Sequence, residues 1–173
     1  MPERVKCLKP VIDNRSQCLI LGSMPGAMSI QKQEYYANPG NDFWRIIYSV
    51  FDSEPDESYN DRVSFVKARG IALWDVLARC ERSGSADSEI EGGVPNDLTS
   101  LFNEHPSVRC VCFNGKKAHE SFESLVALDS SRLMLKRLPS SSSAYARKTI
   151  DEKVAVWRMI REYCRQESNT GNV

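Results

Sequence analysis

Two asparagines and a pair of tyrosines are the residues whose types and spacing best suit chemistry on a nucleobase. Tyr35 and Tyr36 stand a few residues before Asn41, and Asn114 follows an apolar run further along the chain. A tyrosine ring can stack on a base, a contact worth about 1–3 kcal/mol in nucleic-acid complexes. An amide has both donor and acceptor atoms, so Asn114 can pair with a base edge and Asn41 can hold a water molecule through its carbonyl oxygen. Structural roles stay open beside these: core packing for one tyrosine, a helix cap at Asn41 and a turn at Asn114.

A glycine-rich turn and an aspartate are the next candidates. The segment GSMPG, residues 22–26, can expose backbone N–H groups to a ligand. It matches neither a P-loop nor a GxGxxG fingerprint, and a generic turn remains the alternative. Asp75 in LWDVL fits either a ligand crevice or a buried turn. His105 and His119 lack a serine or cysteine partner at a telling spacing, so a hydrolase triad is not supported.

The charge balance argues against bulk attraction to nucleic acid but allows a local basic surface. The 173-residue chain has 23 basic and 23 acidic residues. Residues 130–150, in contrast, contain five cations and no acid, and a serine run lies inside this segment at residues 140–143. A solvated face and a plain linker are the structural alternatives.

The cysteines and the N-terminus bear on the compartment. Six cysteines without a CxxC pair favour buried free thiols, while a zinc or iron–sulfur site built from distant segments stays open. The N-terminus lacks the apolar stretch of a secretory signal, and no apolar run is long enough to span a membrane. We therefore expect the protein to remain where it is made, with reduced cysteines.

Strand-like and helix-like segments alternate, which predicts a mostly parallel sheet covered on both faces. The predicted strands cover 17–22, 71–77, 108–114 and 132–138, and the predicted helices cover about 43–51, 58–69, a segment starting near 95–97, 116–127 and 151–165. We expect one domain over residues 1–166 and a frayed tail over 167–173. Ligands bind at the carboxyl ends of the strands in such sheets, so the segments after the four strands should form one crevice.

Six segments share a pattern with a known family. They are GSMPG, YYANPGNDFW, GIALWDVLARCERSGSADSEI, VPNDL, CFNGKKA and LPSSSSAYA with the later EKVAVWRMI, and together they span roughly residues 19–160. In this order they resemble the uracil-DNA glycosylase superfamily, and most closely its hypoxanthine-DNA glycosylase branch. The resemblance implies a three-layer α/β/α fold with a short, mainly parallel central sheet. It also implies a monomer that flips a deaminated base out of double-stranded DNA and hydrolyses its bond to deoxyribose, leaving an abasic site.

The same resemblance implies roles for individual residues. Asn41 matches the asparagine that directs water in this branch, Tyr36 matches the aromatic residue that stacks on the flipped base, and Asn114 matches a residue that faces the base. Met24 stands where uracil and thymine mismatch relatives carry the water-positioning asparagine of GxNPG, which argues against that activity. The implied base-binding residues are Gly22, Ser23, Met24, Tyr36 and Asn114.

The serine run has a counterpart in the family as well. LPSSSSAYA resembles the loop that enters the DNA helix where the base has left, with Ala144 at a position where the branch more often has proline. Together with nearby cations it gives the implied DNA-binding residues Pro139, Ser140, Ser141, Ser142, Ser143, Arg137, Arg147 and Lys148.

The implied reaction proceeds through a sugar cation, so it needs no strong base, metal or cofactor. Lys116 and Lys117 start a helix that we expect beyond the pocket, which leaves no lysine placed for a Schiff base and predicts a monofunctional enzyme. Such an enzyme would act in the cytosol of a bacterium or archaeon, or in the nucleus of a eukaryote. Two alternatives stay open: a uracil or thymine mismatch glycosylase, and a non-catalytic α/β module that binds nucleotides or damaged DNA.

Overall fold

The centre of the molecule is a four-stranded parallel sheet. The computed structural model describes residues 3–164. Its strands are β1 (Glu3–Lys6), β2 (Cys18–Gly22), β3 (Ile71–Asp75), β4 (Leu77–Arg82), β5 (Glu91–Pro95), β6 (Cys110–Asn114) and β7 (Met134–Leu138). Its α-helices are α1 (Ala27–Lys32), α2 (Phe43–Val50), α3 (Tyr59–Ala68), α4 (Leu98–Glu104), α5 (Lys116–Leu125) and α6 (Ile150–Trp157). The central sheet has the order β3-β2-β6-β7, with each neighbouring pair parallel, and these strands lie at the four predicted positions.

Side chains alternate between the two faces of β2, and each face is covered by its own group of helices. Cys18 and Ile20 lie in one core with residues of α2, α3 and α6, whereas Leu19 and Leu21 lie in the other with residues of α4 and α5. All four side chains are fully buried, as expected for a strand inside a parallel sheet. The predicted three-layer α/β/α fold is therefore confirmed.

Helix α2 follows the long loop and fixes where that loop ends. Phe43, Ile46, Ile47 and Val50 recur at helical spacing and are all fully buried, which confirms the predicted apolar face. Because this face packs against the central sheet and α6, the residues directly before α2 are held near the carboxyl ends of the strands.

A second, antiparallel sheet of order β1-β4-β5 was not predicted from the sequence. The apolar run 71–77 suggested one long strand, but it contains the end of β3 and the start of β4. Between them, Val76 and Leu77 donate their N–H groups to the carbonyl oxygens of Gly22 and Ser23, at 2.8 and 3.2 Å, which redirects the chain. Helix α1 and a 3₁₀ helix at Asp87–Glu89 also lie in segments that the sequence suggested were loops.

The C-terminal helix is shorter than predicted. Helix α6 ends at Trp157, and a 3₁₀ helix follows over Arg158–Glu162. The end of the predicted helix at residue 165 and the predicted tail, 167–173, lie outside the described residues. No helix within residues 3–164 is long and apolar enough to cross a bilayer.

Three of the cysteines lie together inside the sheet layer. Cys18, Cys110 and Cys112 are fully buried, and Sγ of Cys112 lies 3.8 Å from Sγ of Cys18 and 3.7 Å from Sγ of Cys110. These are contact distances for packed sulfur atoms, and all six cysteines of the chain are free thiols. Because the trio belongs to the apolar core that α2, α3 and α6 cover, we interpret it as small hydrophobic packing.

Candidate active site

A cleft of about 720 Å³ opens at the carboxyl ends of the central strands. Its walls come from the turn after β2, the loop before α2, residues 85–88 and the loop after β7. Most of the predicted site residues line it: Gly22, Ser23, Met24, Tyr36, Asn41, Asn114, Ser140, Ser141 and Ser142. The remaining predicted DNA-binding residues lie outside its lining: Pro139, Ser143, Arg137, Arg147 and Lys148.

The two adjacent tyrosines have different environments. Tyr35 is buried, and its hydroxyl donates to the carbonyl oxygen of Lys9 at 2.9 Å, so this ring belongs to the core. Tyr36 has a left-handed backbone with φ at 53°, a conformation that costs a non-glycine residue about 1 kcal/mol or more. Its ring stacks on Phe43, with 3.8 Å between ring centroids and 16° between ring planes. Phe43 thus backs a partly exposed ring that borders the cleft.

The amide of Asn41 is fixed by two hydrogen bonds to its oxygen. Oδ1 accepts one from the N–H of Phe43 at 2.9 Å and one from the hydroxyl of Ser141 at 2.8 Å. The first bond satisfies the N–H of the first residue of α2, so Asn41 has the structural role that stayed open beside the chemical one, although the N-cap position itself is Asp42. A carbonyl oxygen has two lone pairs, so both are engaged. Nδ2 has no hydrogen-bond partner among residues 3–164, and its two N–H groups are the part of the amide left for a ligand.

A fully buried serine connects the two asparagines. Asn114 donates from Nδ2 to Oγ of Ser141 at 2.8 Å and to the hydroxyl of Tyr36 at 3.2 Å, and its Oδ1 accepts the N–H of Ser141 at 2.8 Å. The Ser141 hydroxyl then donates to Asn41. Both N–H groups of Asn114 are therefore used within the protein, and one lone pair of Oδ1 is left for a base.

The loop after β7 is held against α2 and α6. Asn41 and Ser142 form an isolated antiparallel bridge. From α6, Nζ of Lys153 donates to the carbonyl oxygen of Ser142 at 3.2 Å, and the indole N–H of Trp157 donates to the carbonyl oxygen of Pro139 at 2.9 Å. Lys153 is buried, and this burial lowers the pKa of its amine. The serine run is therefore an anchored part of the cleft wall rather than a plain linker.

The opposite side of the cleft is built around Asp75, the last residue of β3. Asp75 lies directly beside Gly22 of β2. A Cβ at Gly22 would stand 2.5 Å from Oδ1 of Asp75 and 3.3 Å from the hydroxyl oxygen of Tyr36, so glycine leaves the space that the carboxyl group occupies. Asp75 is 4% exposed, and its Oδ2 has no hydrogen-bond partner within the described part of the chain.

Burial raises the pKa of Asp75 to about 7. The negative charge of Asp87 adds to this rise, and the positive charge of Arg82 opposes it. Asp87 accepts a hydrogen bond from the hydroxyl of Ser23, which ties the 3₁₀ helix to the turn after β2. Arg82 is buried and donates from Nη2 to the carbonyl oxygen of Pro25, while its Nε and Nη1 have no partner among residues 3–164.

Comparison with known proteins agrees with this architecture. The family model of the uracil DNA glycosylase superfamily matches residues 10–161. The chain belongs to the uracil DNA glycosylase superfamily. It is 43% identical over 138 residues to a hypoxanthine DNA glycosylase of Methanosarcina acetivorans, covering 79% of this chain and 85% of the relative. It is 37% identical over 146 residues to a hypoxanthine DNA glycosylase of Methanosarcina barkeri, covering 79% of this chain and 92% of the relative.

The fold is also similar to that of a solved structure from Methanosarcina, the genus of the two relatives. The solution NMR structure of a candidate uracil DNA glycosylase from Methanosarcina acetivorans superposes with a TM-score of 0.77 at 39% identity. The match covers 91% of this chain and 99% of that one. The uracil DNA glycosylase-like fold predicted from the sequence is therefore confirmed.

Two lysines of this superfamily member lie closer to the cleft than predicted. Lys116 and Lys117 were expected beyond the pocket, but both line it, because β6 ends at Asn114 and α5 begins directly after Gly115, at the cleft wall. Nζ of Lys116 is 3.4 Å from a carboxylate oxygen of Glu120, and its side chain is largely exposed. An exposed, ion-paired ammonium suits contact with a DNA phosphate better than nucleophilic attack on a sugar.

Three features of the glycosylase site were not recognised from the sequence. Lys153 lies beside inward-facing helix positions, and a lysine there gave no sign that its amine anchors a loop. Ser141 was placed among DNA contacts, yet it is fully buried between two amides, and nothing distinguished it from its serine neighbours in the sequence. Asp87 approaches the cleft only through the unpredicted 3₁₀ helix, so its link to Ser23 had no sequence signal.

Proposed function

We propose that this superfamily member is a monofunctional DNA glycosylase that removes hypoxanthine from deoxyinosine in double-stranded DNA and leaves an abasic site. The relatives described as hypoxanthine DNA glycosylases support the substrate class. The observation on which the proposal depends most is that Tyr36 and Asn41 border one cleft and are joined through Asn114 and Ser141. We expect it to act as a monomer in the cytosol of an archaeon or bacterium, or in the nucleus of a eukaryote.

The Tyr36 side of the cleft receives the everted base in this proposal. Extrusion costs a few kcal/mol, least for a poorly paired deaminated base. Stacking on an aromatic ring returns about 1–3 kcal/mol of this. Because the ring of Phe43 already stacks on the ring of Tyr36 and supports it, Tyr36 needs no rearrangement to accept a base. The remaining lone pair on Oδ1 of Asn114 can then accept an N–H of the base.

The amide of Asn41 serves the sugar end of the cleft. Its oxygen is occupied by Phe43 and Ser141, so we infer that its Nδ2 holds the attacking water by donating to the water oxygen. The second lone pair of that oxygen stays free to attack C1′. A donor of this kind positions water without taking its proton, which is sufficient when the glycosidic bond is largely broken before attack. This differs from the acceptor role suggested by the sequence.

DNA contacts are assigned to the rim. Ser140, Ser142 and Ser143 lie on the loop that would fill the gap left by the base, whereas buried Ser141 holds the two asparagines in place. Exposed cations lie close to this loop in the sequence and would contact phosphates: Arg137, Arg147 and Lys148. Exposed Lys116 and half-buried Lys117 line the cleft at the start of α5. Only a few phosphate contacts are implied, so affinity should fall moderately with salt.

The decisive experiment uses matched labelled duplexes with a single deoxyinosine, deoxyuridine, deoxyxanthosine or G·T mismatch. Enzyme is added in excess, and half of each sample receives alkali. We expect the deoxyinosine duplex to react fastest and its strand to break only after alkali, since abasic sites are alkali-labile. Inactivity on all four duplexes would reject the enzyme, cleavage of the uracil duplex alone would assign another branch, and breakage without alkali would reject the monofunctional mechanism.

A further inference from the structure

The carboxyl group of Asp75 is a second polar group at the base end of the cleft. It lines the cleft, it is 4% exposed, and Oδ2 has no partner within residues 3–164. Its Oδ1 and the hydroxyl oxygen of Tyr36 lie within 3.3 Å of the same point, the Cβ position that Gly22 leaves empty. Buried polar atoms normally have a hydrogen-bond partner, so this carboxyl group is available to form a hydrogen bond with a base stacked on Tyr36.

The position of Asp75 separates it from the water-holding residue. The side-chain hydrogen bonds that connect Tyr36 to Asn41 run through Asn114 and Ser141, a path of three bonds. Asp75 adjoins the Tyr36 end of this path, and Asn41 closes the other end. A base stacked on Tyr36 with its sugar toward Asn41 would therefore meet Asp75 with its own ring atoms.

We propose that neutral Asp75 donates its carboxyl proton to the departing base and is a catalytic residue, a role that rests on the proposed glycosylase function. When the bond between C1′ and the base nitrogen breaks, its electron pair leaves with the base. A purine such as hypoxanthine gathers this charge on acceptor atoms of its rings and carbonyl group. A donor at the base end stabilises that charge, whereas an ionised carboxylate would repel it.

The proton transfers balance over one catalytic turnover. The Asp75 O–H proton passes to the departing purine, which leaves as the neutral base. Water forms a new bond to C1′ and releases one proton. That proton returns through cleft solvent to the Asp75 carboxylate, so the carboxyl group is neutral again and no other reactant is needed.

The charges around Asp75 decide in which pH range it can donate. Asp87 from the 3₁₀ helix and Arg82 from β4 act on it in opposite directions. Tyr35, Tyr36 and Cys7 lie near enough to Asp75 for its negative charge to raise their pKa values. With a pKa raised to about 7 by burial, the carboxyl group is mostly protonated below neutrality and loses its proton above it.

The test is a pH profile of base release from a deoxyinosine duplex under single-turnover conditions, from about pH 6 to about pH 8.5. The wild-type rate should fall as pH rises through about 7, by up to tenfold per unit beyond it. Asp75→Asn keeps a hydrogen-bond donor but cannot transfer a proton, so its rate should fall about tenfold or more near pH 6 and lose this decline with pH. Asp75→Leu removes the donor, so its rate should lie about 100-fold or more below wild type near pH 6, with a smaller difference above pH 7, where wild-type Asp75 is ionised.

Controls separate this role from structure and from substrate titration. The Asp75→Asn enzyme meets the same DNA, so any titration of the duplex cancels in the comparison. Glu54→Gln changes an exposed carboxylate outside the cleft lining and should keep the wild-type profile. Near-UV circular dichroism of the three tryptophans checks the fold of each variant.

The outcomes that overturn the proposal are distinct from failure of the glycosylase function. A wild-type rate that is flat or rises over this range, or a profile unchanged in Asp75→Asn, would reject the donor role while leaving the glycosylase intact. Folded Asp75→Asn that keeps the wild-type rate near pH 6 would reject it also. If Asp75→Leu does not fold, Asp75→Asn alone decides. Wild-type inactivity on every damaged duplex would instead reject the proposed function.

Discussion

The two sides of the cleft differ in how their buried polar groups are hydrogen-bonded. On the amide side, formed by Asn41, Ser141 and Asn114, the serine bonds to the oxygens of both amides and accepts from Asn114, and the groups are neutral. Only the two N–H groups of Asn41 lack a partner among the amide groups of this side, within the part of the chain that the structure describes. On the acid side, formed by Asp75 and Arg82, buried polar atoms lack partners within residues 3–164 and the groups carry or can carry charge. The first side is set before a ligand arrives, and the second is left incomplete.

This difference shows which side a ligand would change. A hydrogen-bonded network loses little when it is buried and holds its members in one geometry. An unpaired buried polar group costs about 1–3 kcal/mol, and more when it is charged. The amide side is therefore suited to positioning, and the acid side to a partner that supplies the missing hydrogen bonds.

Removal of Asn41 should have the largest effect, because it is the amide-side residue with donors left for the substrate. Asn41→Ala should lower the single-turnover rate about 100- to 1,000-fold, as expected for loss of one preorganised donor. Binding of the deoxyinosine duplex should change by less than about threefold, since phosphate contacts dominate affinity. Asn103→Ala, an exposed asparagine on α4, is the matched control.

Asn41→Asp tests which atom of the amide acts. The carboxylate can still accept from Phe43 and Ser141, so α2 stays capped, but both N–H donors are gone. We expect a rate as low as that of Asn41→Ala with nearly wild-type stability. An active Asn41→Asp enzyme would mean that an acceptor oxygen, rather than a donor, holds the water.

The acid side should make stability depend on pH. The pKa of Asp75 is raised from 3.8 to about 7, so the folded protein binds a proton that the unfolded chain has released between these values. The free energy of unfolding then falls as pH rises toward 7. Between about pH 5 and pH 8, wild type should lose roughly 2–3 kcal/mol more than Asp75→Asn, at 1.36 kcal/mol per pKa unit.

Urea unfolding at the two pH values measures this difference. Carboxylates whose pKa is lowered, such as Asp97, titrate below 3.8 and do not contribute in this range. Thiols with raised pKa values, such as Cys80, titrate above 9.0 and do not contribute either. Equal pH dependence in wild type and Asp75→Asn would show that the carboxyl group is hydrated rather than buried.

The amide side should depend on its central serine. Ser141→Ala removes the donor to Asn41 and the acceptor for Asn114, so we expect the free energy of unfolding to fall by about 1–3 kcal/mol. The rate should fall about tenfold, because Asn41 keeps only its bond to Phe43. Ser143→Ala, an exposed change in the same serine run, should stay within about 0.5 kcal/mol of wild type. Equal effects of the two substitutions would contradict the network.

The fold was predictable where one periodicity covers one element. The buried runs of β2 and β6 and the apolar face of α2 matched because their neighbours on both sides are apolar. Strand β7 was also placed correctly, although it lies at the edge of the sheet and only Leu138 in it is buried. The run 71–77 was misread since hydrophobicity does not report a change of strand direction. That change depends on hydrogen bonds from Val76 and Leu77 to a distant strand, which no local pattern contains.

The site was predictable in membership and less so in geometry. The rule that ligands bind at the carboxyl ends of parallel strands brought Tyr36, Asn41 and Asn114 to one cleft. It did not reveal that the Asn41 oxygen is already occupied, because that depends on Ser141, 100 residues away along the chain. The role of Asp75 stayed open, because the sequence suggested either a buried turn or a place in the crevice. In the structure both descriptions hold, since Asp75 is buried and also lines the cleft.

Tyr36→Phe has the smallest expected effect and tests whether the two sides act separately. The change keeps the stack on Phe43 and removes a hydroxyl that accepts from Asn114 and adjoins Asp75. We expect a rate about three- to tenfold below wild type and a stability change within about 1 kcal/mol, because Asn114 keeps its bonds to Ser141.

Double mutants then show to which side the Tyr36 hydroxyl belongs. Tyr36→Phe and Ser141→Ala both remove a partner of the same Asn114 nitrogen, so their effects on unfolding free energy should be non-additive by about 0.5 kcal/mol or more. Tyr36→Phe and Asp75→Asn share no hydrogen bond and should be additive within about 0.5 kcal/mol. The reverse pattern would join Tyr36 to the acid side, and the separation between a preset amide side and an incomplete acid side would then be wrong.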